Sequence, residues 1–230
     1  FVDDDETKEM QIIVEKKDNY YAFVIATGDN NNGWQKHSEG KIYKQDETET
    51  KSVNLDTLKK EFAEENDLKV LELDSKSFTF GNRWNSLDIA YENNEYYSHA
   101  KMDKKALLKQ VLPDSIKADV EKYALHPGML DNAANYLSQS FGDNIYLPFN
   151  YKDLKIYKSL PATSYCYLRS KNAESGNLEV VTFDWDIYDE NGQLVATATD
   201  YSLKKINPSD FIKQSAIKYY GYKWEHIQPV

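Results

Sequence analysis

Two polar residues in the segment HPGMLDNAAN, residues 126–135, have side chains suited to acid–base chemistry. Asp131 and Asn135 are four positions apart, so in a helix they lie on the same face. An aspartic acid can protonate a departing hydroxyl group, and an asparagine amide can hydrogen-bond that hydroxyl or orient the acid. The pair is a weak signal by itself, because an aspartate in a first helical turn more often serves as a cap or as a partner of the helix dipole.

The start of this helix determines the surroundings of Asp131. Pro127 is tolerated at a first helical position, so we predict that the helix begins there and that His126 bonds the backbone at its start. The positive end of the helix dipole favours the ionised carboxylate, whereas an apolar tunnel favours the neutral acid. The sequence leaves the balance between these two effects open.

Strand patterns dominate the chain before this helix. The predicted strands there cover residues 10–15, 20–27, 40–44, 68–73 and, in three pieces, 86–102. A short surface helix is predicted over 55–66 from its apolar residues at helical spacing. The segment DKKALLKQVL, residues 103–112, is predicted as a second helix that Pro113 ends.

The chain after the helix is again rich in strands. Strands are predicted over 145–158 and 163–170, and a final hairpin over 178–206 has Asn191–Gly192 as its two-residue turn. The helix between these regions has an apolar stripe that such a sheet could bury. The stripe consists of Leu130, Ala133, Ala134, Leu137 and Phe141. This order predicts an α+β protein in which a curved antiparallel sheet wraps around one central helix.

Composition and charge argue against several classes of function. The net charge of −10 argues against a protein that binds nucleic acid through phosphate contacts. The single cysteine, Cys166, excludes an internal disulfide and a multi-cysteine metal site, and no glycine-rich nucleotide motif occurs. No apolar run approaches a membrane span and no signal peptide is visible, so the expected location is the cytoplasm. The chain begins at Phe1 instead of methionine, and we expect it to be part of a longer one.

Four sequence elements occur in an order that resembles the dehydratase domain of modular type I polyketide synthases. They are WQKHSEGKIY (34–43), FTFGNRWNSL (78–87), HPGMLDNAAN (126–135) and LPFNYKDLKIY (147–157). The resemblance implies a double hot-dog fold whose first half contains the W-x-x-H-x-x-G element and whose second half opens with Y-G-x-x-F. It also implies three regions: the remainder of an incomplete first hot dog over 1–45, a linker over 46–68, and a second hot dog over 69–230.

The resemblance further implies elimination of water from a β-hydroxyacyl chain held as a thioester on an acyl carrier protein. In this family a histidine removes the α-proton, and the aspartate of the H-P-x-x-L-D motif, here Asp131, protonates the departing hydroxyl. The phosphopantetheine arm of the carrier protein holds the substrate, and neither a further cofactor nor a metal is implied. The expected partners are the acyl carrier protein and neighbouring polyketide synthase domains, with a homodimer as one arrangement and with no nucleic acid or membrane.

A substrate tunnel beside Asp131 is also implied by the resemblance. Its expected walls are Phe80, Gly81, Trp84, His126, Pro127, Leu130, Pro148 and Phe149. Phe80, Gly81 and Trp84 stand at the positions of the Y-G-x-x-F element. Ordinary core packing is an equally good interpretation of these three residues, and of Pro148 and Phe149.

Two departures from the family pattern leave the activity open. Asn135 stands where the family has Gln or His, and similar D-x-x-x-N variants occur in relatives that close pyran rings. None of His37, His99, His126 and His226 fits the H-x-x-x-G-x-x-x-x-P motif that contains the family's base. We therefore predict that the base-bearing part of the first hot dog is absent from this sequence. Its absence would expose hydrophobic surface on the rest of the first hot dog. The alternatives are a dehydratase, a pyran-forming or double-bond-shifting variant, and a non-catalytic domain that serves as a scaffold.

Overall fold

The computed structural model describes residues 7–29, 33–44, 51–62, 64–67, 81, 84–93, 96–97, 101–102, 105–114, 117–118, 122–137, 144–171 and 178–207. The chain divides into two units, one formed by Phe1–Glu49 with Lys213–Val230 and the other by Thr50–Ile212. The division predicted from the resemblance, into 1–45, 46–68 and 69–230, stays a prediction. Neither helix of the described residues has the length and hydropathy that crossing a membrane requires.

The first unit contains an antiparallel sheet of three strands in chain order. They are β1 (Glu9–Lys16), β2 (Tyr21–Asp29) and β3 (Gly33–Ile42). The predicted hairpin is confirmed, but the prediction of a short third strand was wrong, because its pairing with β2 extends back to Gly33. Every residue of β1 is exposed, and Met10 and Ile12 are each 63% exposed. In the described part of the chain, this sheet therefore presents apolar side chains to solvent.

The second unit is built on a seven-stranded antiparallel sheet. In chain order, the helices and strands of the second unit are α1 (Leu55–Lys59), β4 (Glu64–Asp67), β5 (Leu87–Asn93), β6 (Tyr96–Tyr97), β7 (Lys101–Met102), β8 (Lys105–Val111), α2 (Pro127–Asn135), β9 (Ile145–Ile156), β10 (Thr163–Ser170), β11 (Val180–Tyr188) and β12 (Leu194–Ile206). The sheet order is β4-β5-β8-β10-β11-β12-β9, and β6 pairs with β7. The helix predicted over 55–66 is confirmed only as α1, because β4 pairs with β5. The strand predicted over 68–73 lies outside the described residues.

β8 is a strand where a helix was predicted over 103–112. It pairs with both β5 and β10, so it lies inside the sheet. Leu107 and Leu108 are both 0% exposed and point to opposite faces of the strand, so both faces are covered. The apolar residues 106–108 follow one another without alternation, and periodicity does not distinguish such a short apolar run from part of a buried helix. The helix prediction was wrong for this reason.

The main core lies between α2 and one face of this sheet. Met129, Ala133 and Ala134 of α2 pack in one cluster with Phe183 and Trp185 of β11, and all five are at most 1% exposed. Burial alternates along most of β11 because successive strand residues face opposite sides of the sheet. The predicted arrangement, an antiparallel sheet packed on the apolar stripe of one helix, is confirmed. The predicted stripe member Phe141 lies outside the described residues.

A smaller apolar cluster covers the other face of the sheet. It contains Leu58 of α1, Leu107 of β8, Tyr165 of β10, and Tyr188 and Leu194 around the last turn. The side chain of the residue before α1 caps this helix by accepting a backbone N–H at 2.9 Å. The sheet is thus packed on both faces, which holds its strands in a fixed register around α2.

The turn between β11 and β12 differs from the predicted two-residue turn. A type I′ turn needs a positive φ at both Asn191 and Gly192, and of the two only Gly192 has one, at 73°. The N–H of Gly192 donates to the Asp189 carbonyl, and the N–H of Asp189 donates to the Gln193 carbonyl, both at 2.9 Å. A Cβ at Gly192 would overlap the carbonyl oxygen of Val53. A glycine is therefore required by both the backbone angle and the close approach.

Candidate active site

The start of α2 is set by His126 and Pro127. His126 is extended, with φ −66° and ψ 123°, and its carbonyl accepts the Leu130 N–H at 3.0 Å, so the helix begins at Pro127 as predicted. The His126 side chain makes no capping hydrogen bond, so the prediction that it bonds the backbone at the helix start was wrong. The His126 ring is 4% exposed and packs edge-on against Tyr123, with ring centroids 5.5 Å apart.

Asp131 lies in the second turn of α2 and is half-buried. Its Oδ2 accepts a hydrogen bond from the indole Nε1–H of Trp84 at 2.8 Å. Trp84 lies in the chain just before β5, where its backbone N–H donates to the Gly81 carbonyl at 3.0 Å. The carboxyl group is therefore held by a donor from a segment that is 47 residues away along the chain.

A buried polar network joins the same helix to the same segment. Asn132, next to Asp131, donates through its amide to the Trp84 carbonyl and to Ser86 Oγ, the latter at 3.0 Å. Ser86 Oγ in turn donates to Gln110 Oε1 of β8 at 3.2 Å. Asn132, Ser86 and Gln110 are 7%, 1% and 0% exposed, so the network is shielded from water. Hydrogen bonds that are shielded in this way fix the position of α2 against β8.

Two buried tyrosines form a stacked pair, and the charge of Asp131 affects the pKa of both. Tyr151 of β9 and Tyr201 of β12 are cross-strand partners, and their ring centroids are 4.4 Å apart. Trp185 packs edge-on against Tyr151 at 6.4 Å. Burial raises the pKa of both tyrosines, and the nearby negative charge of Asp131 raises both further. Both side chains therefore remain neutral phenols, which can donate hydrogen bonds.

Residues 72–210 match the family described as the polyketide synthase dehydratase N-terminal domain. The chain belongs to this polyketide synthase dehydratase family. Polyketide synthase PksM of Bacillus subtilis is 24% identical over 181 residues, which are 74% of this chain and 4% of that protein. Phthioceranic/hydroxyphthioceranic acid synthase of Mycobacterium bovis is 27% identical over 129 residues, which are 54% of this chain and 6% of that protein. The chain therefore spans only a small part of each of these proteins.

Solved dehydratase structures share the fold of this chain. The dehydratase domain from the CurJ module of curacin polyketide synthase has a TM-score of 0.73 at 19% identity, over 90% of this chain and 72% of that one. An N-terminal dehydratase from the difficidin assembly line has a TM-score of 0.72 at 18% identity, over 93% of this chain and 76% of that one. The chain thus has the hot-dog fold of polyketide synthase dehydratases.

The dehydratase fold brings together two of the residues predicted for the site, Asp131 and Trp84. Asn135 is the last residue of α2, but its side chain lies outside the described part of the chain, and so does Phe80. The predicted roles of Asn135 and Phe80 stay predictions. Asn132 was not predicted, although its buried amide is the neighbour of Asp131 on the helix.

The other predicted tunnel residues are spread over the second unit. Leu130 packs against the main core, whereas Gly81 and Pro127 are exposed. Pro148 and Phe149 of β9 are also exposed. Phe149 is 64% exposed, and Lys204 Nζ lies 5.8 Å from its ring centroid. The tunnel roles of these residues stay predictions.

The histidines of the described residues occupy two different surroundings. His126 is buried at the start of α2, whereas His37 is exposed on β3 in the first unit. The ring Nε2 of His37 lies 2.5 Å from the hydroxyl of Thr27 on the neighbouring strand. His99 and His226 lie outside the described residues. No role as a base is assigned to His37, because its ring is engaged with its own sheet.

Proposed function

We propose that this chain is part of a polyketide synthase dehydratase that eliminates water from a β-hydroxyacyl thioester carried by an acyl carrier protein. The proposal rests on one observation above all. The half-buried carboxyl of Asp131, at the H-P-x-x-L-D position of the family, is held by the Trp84 N–H at 2.8 Å. This hydrogen bond holds the carboxyl group in one orientation, which supports its role as a positioned general acid. The charge of Asp131 also raises the pKa of the buried phenols Tyr151 and Tyr201, which is consistent with a carboxyl group close to them.

The proposed reaction removes one proton from the α-carbon and gives one proton to the hydroxyl oxygen that leaves. A base removes the proton from the carbon next to the thioester, and the electron pair of that C–H bond forms the new carbon–carbon double bond. The C–O bond at the β-carbon breaks, and its oxygen takes the proton of Asp131 and leaves as water. Asp131 is then a carboxylate, and return of the proton from the base through solvent completes the cycle.

The base of this reaction is assigned to a histidine outside these 230 residues. The family motif H-x-x-x-G-x-x-x-x-P does not occur in these 230 residues. His126 is the histidine nearest to Asp131 in sequence, but it is followed by Pro127 and is buried at the helix start against Tyr123. The complete reaction thus requires a further polypeptide segment, in the same chain or in a partner.

The proposed partners follow from the way in which the substrate is carried. The acyl carrier protein delivers the chain on its phosphopantetheine arm, so the dehydratase itself needs no other cofactor. Neighbouring polyketide synthase domains are proposed as further partners, because the chain matches 4% of PksM and 6% of the mycobacterial synthase. The cytoplasmic location and the homodimer belong to the same proposal.

Pyran formation is the second candidate function. It is favoured by one feature, Asn135 at the position where the family has Gln or His. In this reaction a distal hydroxyl of the substrate adds to the β-carbon of an enoyl thioester. The hydroxyl loses its proton as the new C–O bond forms, and the α-carbon gains one. The Asp131 carboxylate would then accept the proton of the attacking hydroxyl, and its contacts would be the same as in dehydration.

The two activities can be separated by mass spectrometry of the loaded carrier protein. The full-length natural polypeptide is incubated with a 3-hydroxyacyl carrier protein and, separately, with an enoyl carrier protein that has a distal hydroxyl. Loss of the mass of one water from the first substrate supports dehydration. Ring closure does not change the mass of the second substrate, so the released acyl chain is treated with an acetylating reagent before its mass is measured. A product that no longer gains the mass of an acetyl group supports ring closure. No change in either substrate would overturn both proposals and would favour a non-catalytic domain that serves as a scaffold.

Two variants show whether Asp131 carries the chemistry. Asp131→Asn is expected to abolish product formation because the amide has no acidic proton. The matched control is Asp153→Asn, since Asp153 is exposed on β9 and pairs only with Lys155 among its described ion pairs, at 3.3 Å. The control is expected to keep wild-type activity. Full activity in Asp131→Asn would contradict the assignment of the acid.

A further inference from the structure

Trp84 is bonded to α2 at two points, one on its side chain and one on its main chain. Its Nε1–H donates to Asp131 Oδ2 at 2.8 Å, and its carbonyl accepts from the Asn132 amide. Asp131 and Asn132 are consecutive on the helix, so the two bonds together restrict the rotation of the indole ring and of the carboxyl group. The Ser86 N–H also donates to the Trp84 carbonyl, at 2.9 Å, which fixes the local turn.

We infer that Trp84 is a positioning residue that determines which oxygen of Asp131 delivers the proton to the substrate. This inference rests on the proposed function. An indole N–H can only donate a hydrogen bond, so it favours an acceptor at Oδ2. A carboxylic acid proton pointing from Oδ2 towards this N–H would be repelled. The transferable proton of the neutral acid therefore belongs on Oδ1.

The same contact also acts after the proton has been transferred. The Asp131 group is then a carboxylate, and a hydrogen bond from the Trp84 N–H to an ionised acceptor is stronger than one to a neutral acceptor. Trp84 therefore stabilises the product form of the acid more than its starting form. Such a difference lowers the barrier of the chemical step and does not depend on how tightly the substrate binds.

A spectroscopic measurement tests the contact without any assay of activity. The indole N–H resonances are recorded by ¹H–¹⁵N NMR of the present 230-residue chain, and that of Trp84 is assigned by its loss in Trp84→Phe. In Asp131→Asn the amide oxygen still accepts, so the resonance is expected to stay near its wild-type position. In Asp131→Leu, which has no acceptor, it is expected to move upfield, while the resonance of the buried Trp185 stays in place and shows that the core is intact. An unchanged Trp84 resonance in Asp131→Leu would overturn the inference.

A kinetic measurement then tests the positioning role in the full-length polypeptide with a 3-hydroxyacyl carrier protein. Trp84→Phe keeps a ring of similar character and removes the N–H. Its kcat is expected to fall about 10- to 100-fold, the effect of losing a hydrogen bond to a charged group. Its KM is expected to stay within about twofold of wild type, because substrate binding is not the function of this bond. The matched control, Trp34→Phe in the first unit, is expected to change neither constant.

The outcomes separate this inference from the proposed function. A Trp84→Phe variant with the wild-type kcat, alongside an inactive Asp131→Asn variant, would overturn the positioning role and leave the acid assignment intact. A raised KM with an unchanged kcat would also overturn it, because that result describes a tunnel wall. If Asp131→Asn keeps full activity, the proposed function itself fails, whatever the NMR measurement shows about the contact.

Discussion

The replacement of Asn132 by alanine should lower the free energy of unfolding of the second unit, because it removes two buried hydrogen bonds. The Asn132 amide donates to the Trp84 carbonyl and to Ser86 Oγ, and its side chain is 7% exposed. A hydrogen bond of this kind contributes about 0.5–1.5 kcal/mol, so the loss of two predicts about 1–3 kcal/mol. Both acceptors keep another partner, since the Trp84 carbonyl still accepts from a backbone N–H at 2.9 Å and Ser86 Oγ still bonds Gln110. The expected loss is therefore in the lower half of that range.

Asn132→Asp is the sharper variant of the same experiment. It has nearly the same shape, but an ionised carboxylate cannot donate and would face two acceptors at a buried position. Burial of an unsatisfied charge is more costly than removal of the group, so this variant should lose at least about 1 kcal/mol more than Asn132→Ala. Asn150→Ala, at an exposed position of β9, is the matched control and should stay within about 0.5 kcal/mol of wild type.

Urea unfolding followed by far-ultraviolet circular dichroism measures these differences in free energy. A change in the midpoint at constant slope reports a change in stability, because the slope reflects the surface exposed on unfolding. Two results would refute the reasoning. One is an Asn132→Ala protein that is as stable as Asn150→Ala. The other is an Asn132→Asp protein that is no less stable than Asn132→Ala.

Two further predictions concern the turn between β11 and β12 and its neighbours. Gly192→Ala should lower the free energy of unfolding by at least about 1–2 kcal/mol because of the positive φ alone, and by more because the new Cβ overlaps the Val53 carbonyl. The matched control is Gly33→Ala, which has a similar φ but open space around it. Calorimetry of both variants should show a smaller loss for Gly33→Ala. Burial raises the pKa of Asp189, but hydrogen bonds from Lys158 and from two backbone N–H groups outweigh this effect and hold the pKa below its usual value. The folded state thus binds this proton less tightly than the unfolded state, so the carboxylate stabilises the fold above the unfolded pKa, and that contribution is lost as the pH falls through the folded pKa. Asp189→Asn should remove this part of the acid dependence of the urea midpoint, and an unchanged dependence would contradict it.

The position of α2 could be predicted from the sequence because its signals are local. Pro127 marks the first helical turn, and the apolar residues that follow have the spacing of one helical face. β8 could not be predicted in the same way, because both of its faces are covered and the successive residues Leu107 and Leu108 are both buried, so the alternation is lost. The turn at Gly192 was misjudged for a different reason, since two residues in sequence do not show which of them has a positive φ.

The contacts of the candidate site depend on sheet order, which the sequence does not show. Trp84 reaches Asp131 across 47 residues because the segment before β5 packs against α2. Tyr151 meets Tyr201 because β9 pairs with β12, not with β10, the next strand of the sheet in sequence. The resemblance to the family predicts Asp131 as the acid, and the structure adds the hydrogen bond that Trp84 donates to it.

The assignment of Asp131 as the acid is tested most directly by the single-turnover rate of water elimination. Wild-type and Asp131→Asn full-length polypeptides are mixed with one 3-hydroxyacyl carrier protein and quenched at successive times. A positioned general acid contributes about 10²–10⁴-fold, so the rate in Asp131→Asn should fall by at least about 100-fold. A variant that eliminates water at the wild-type rate would contradict the role of this carboxyl group in the reaction.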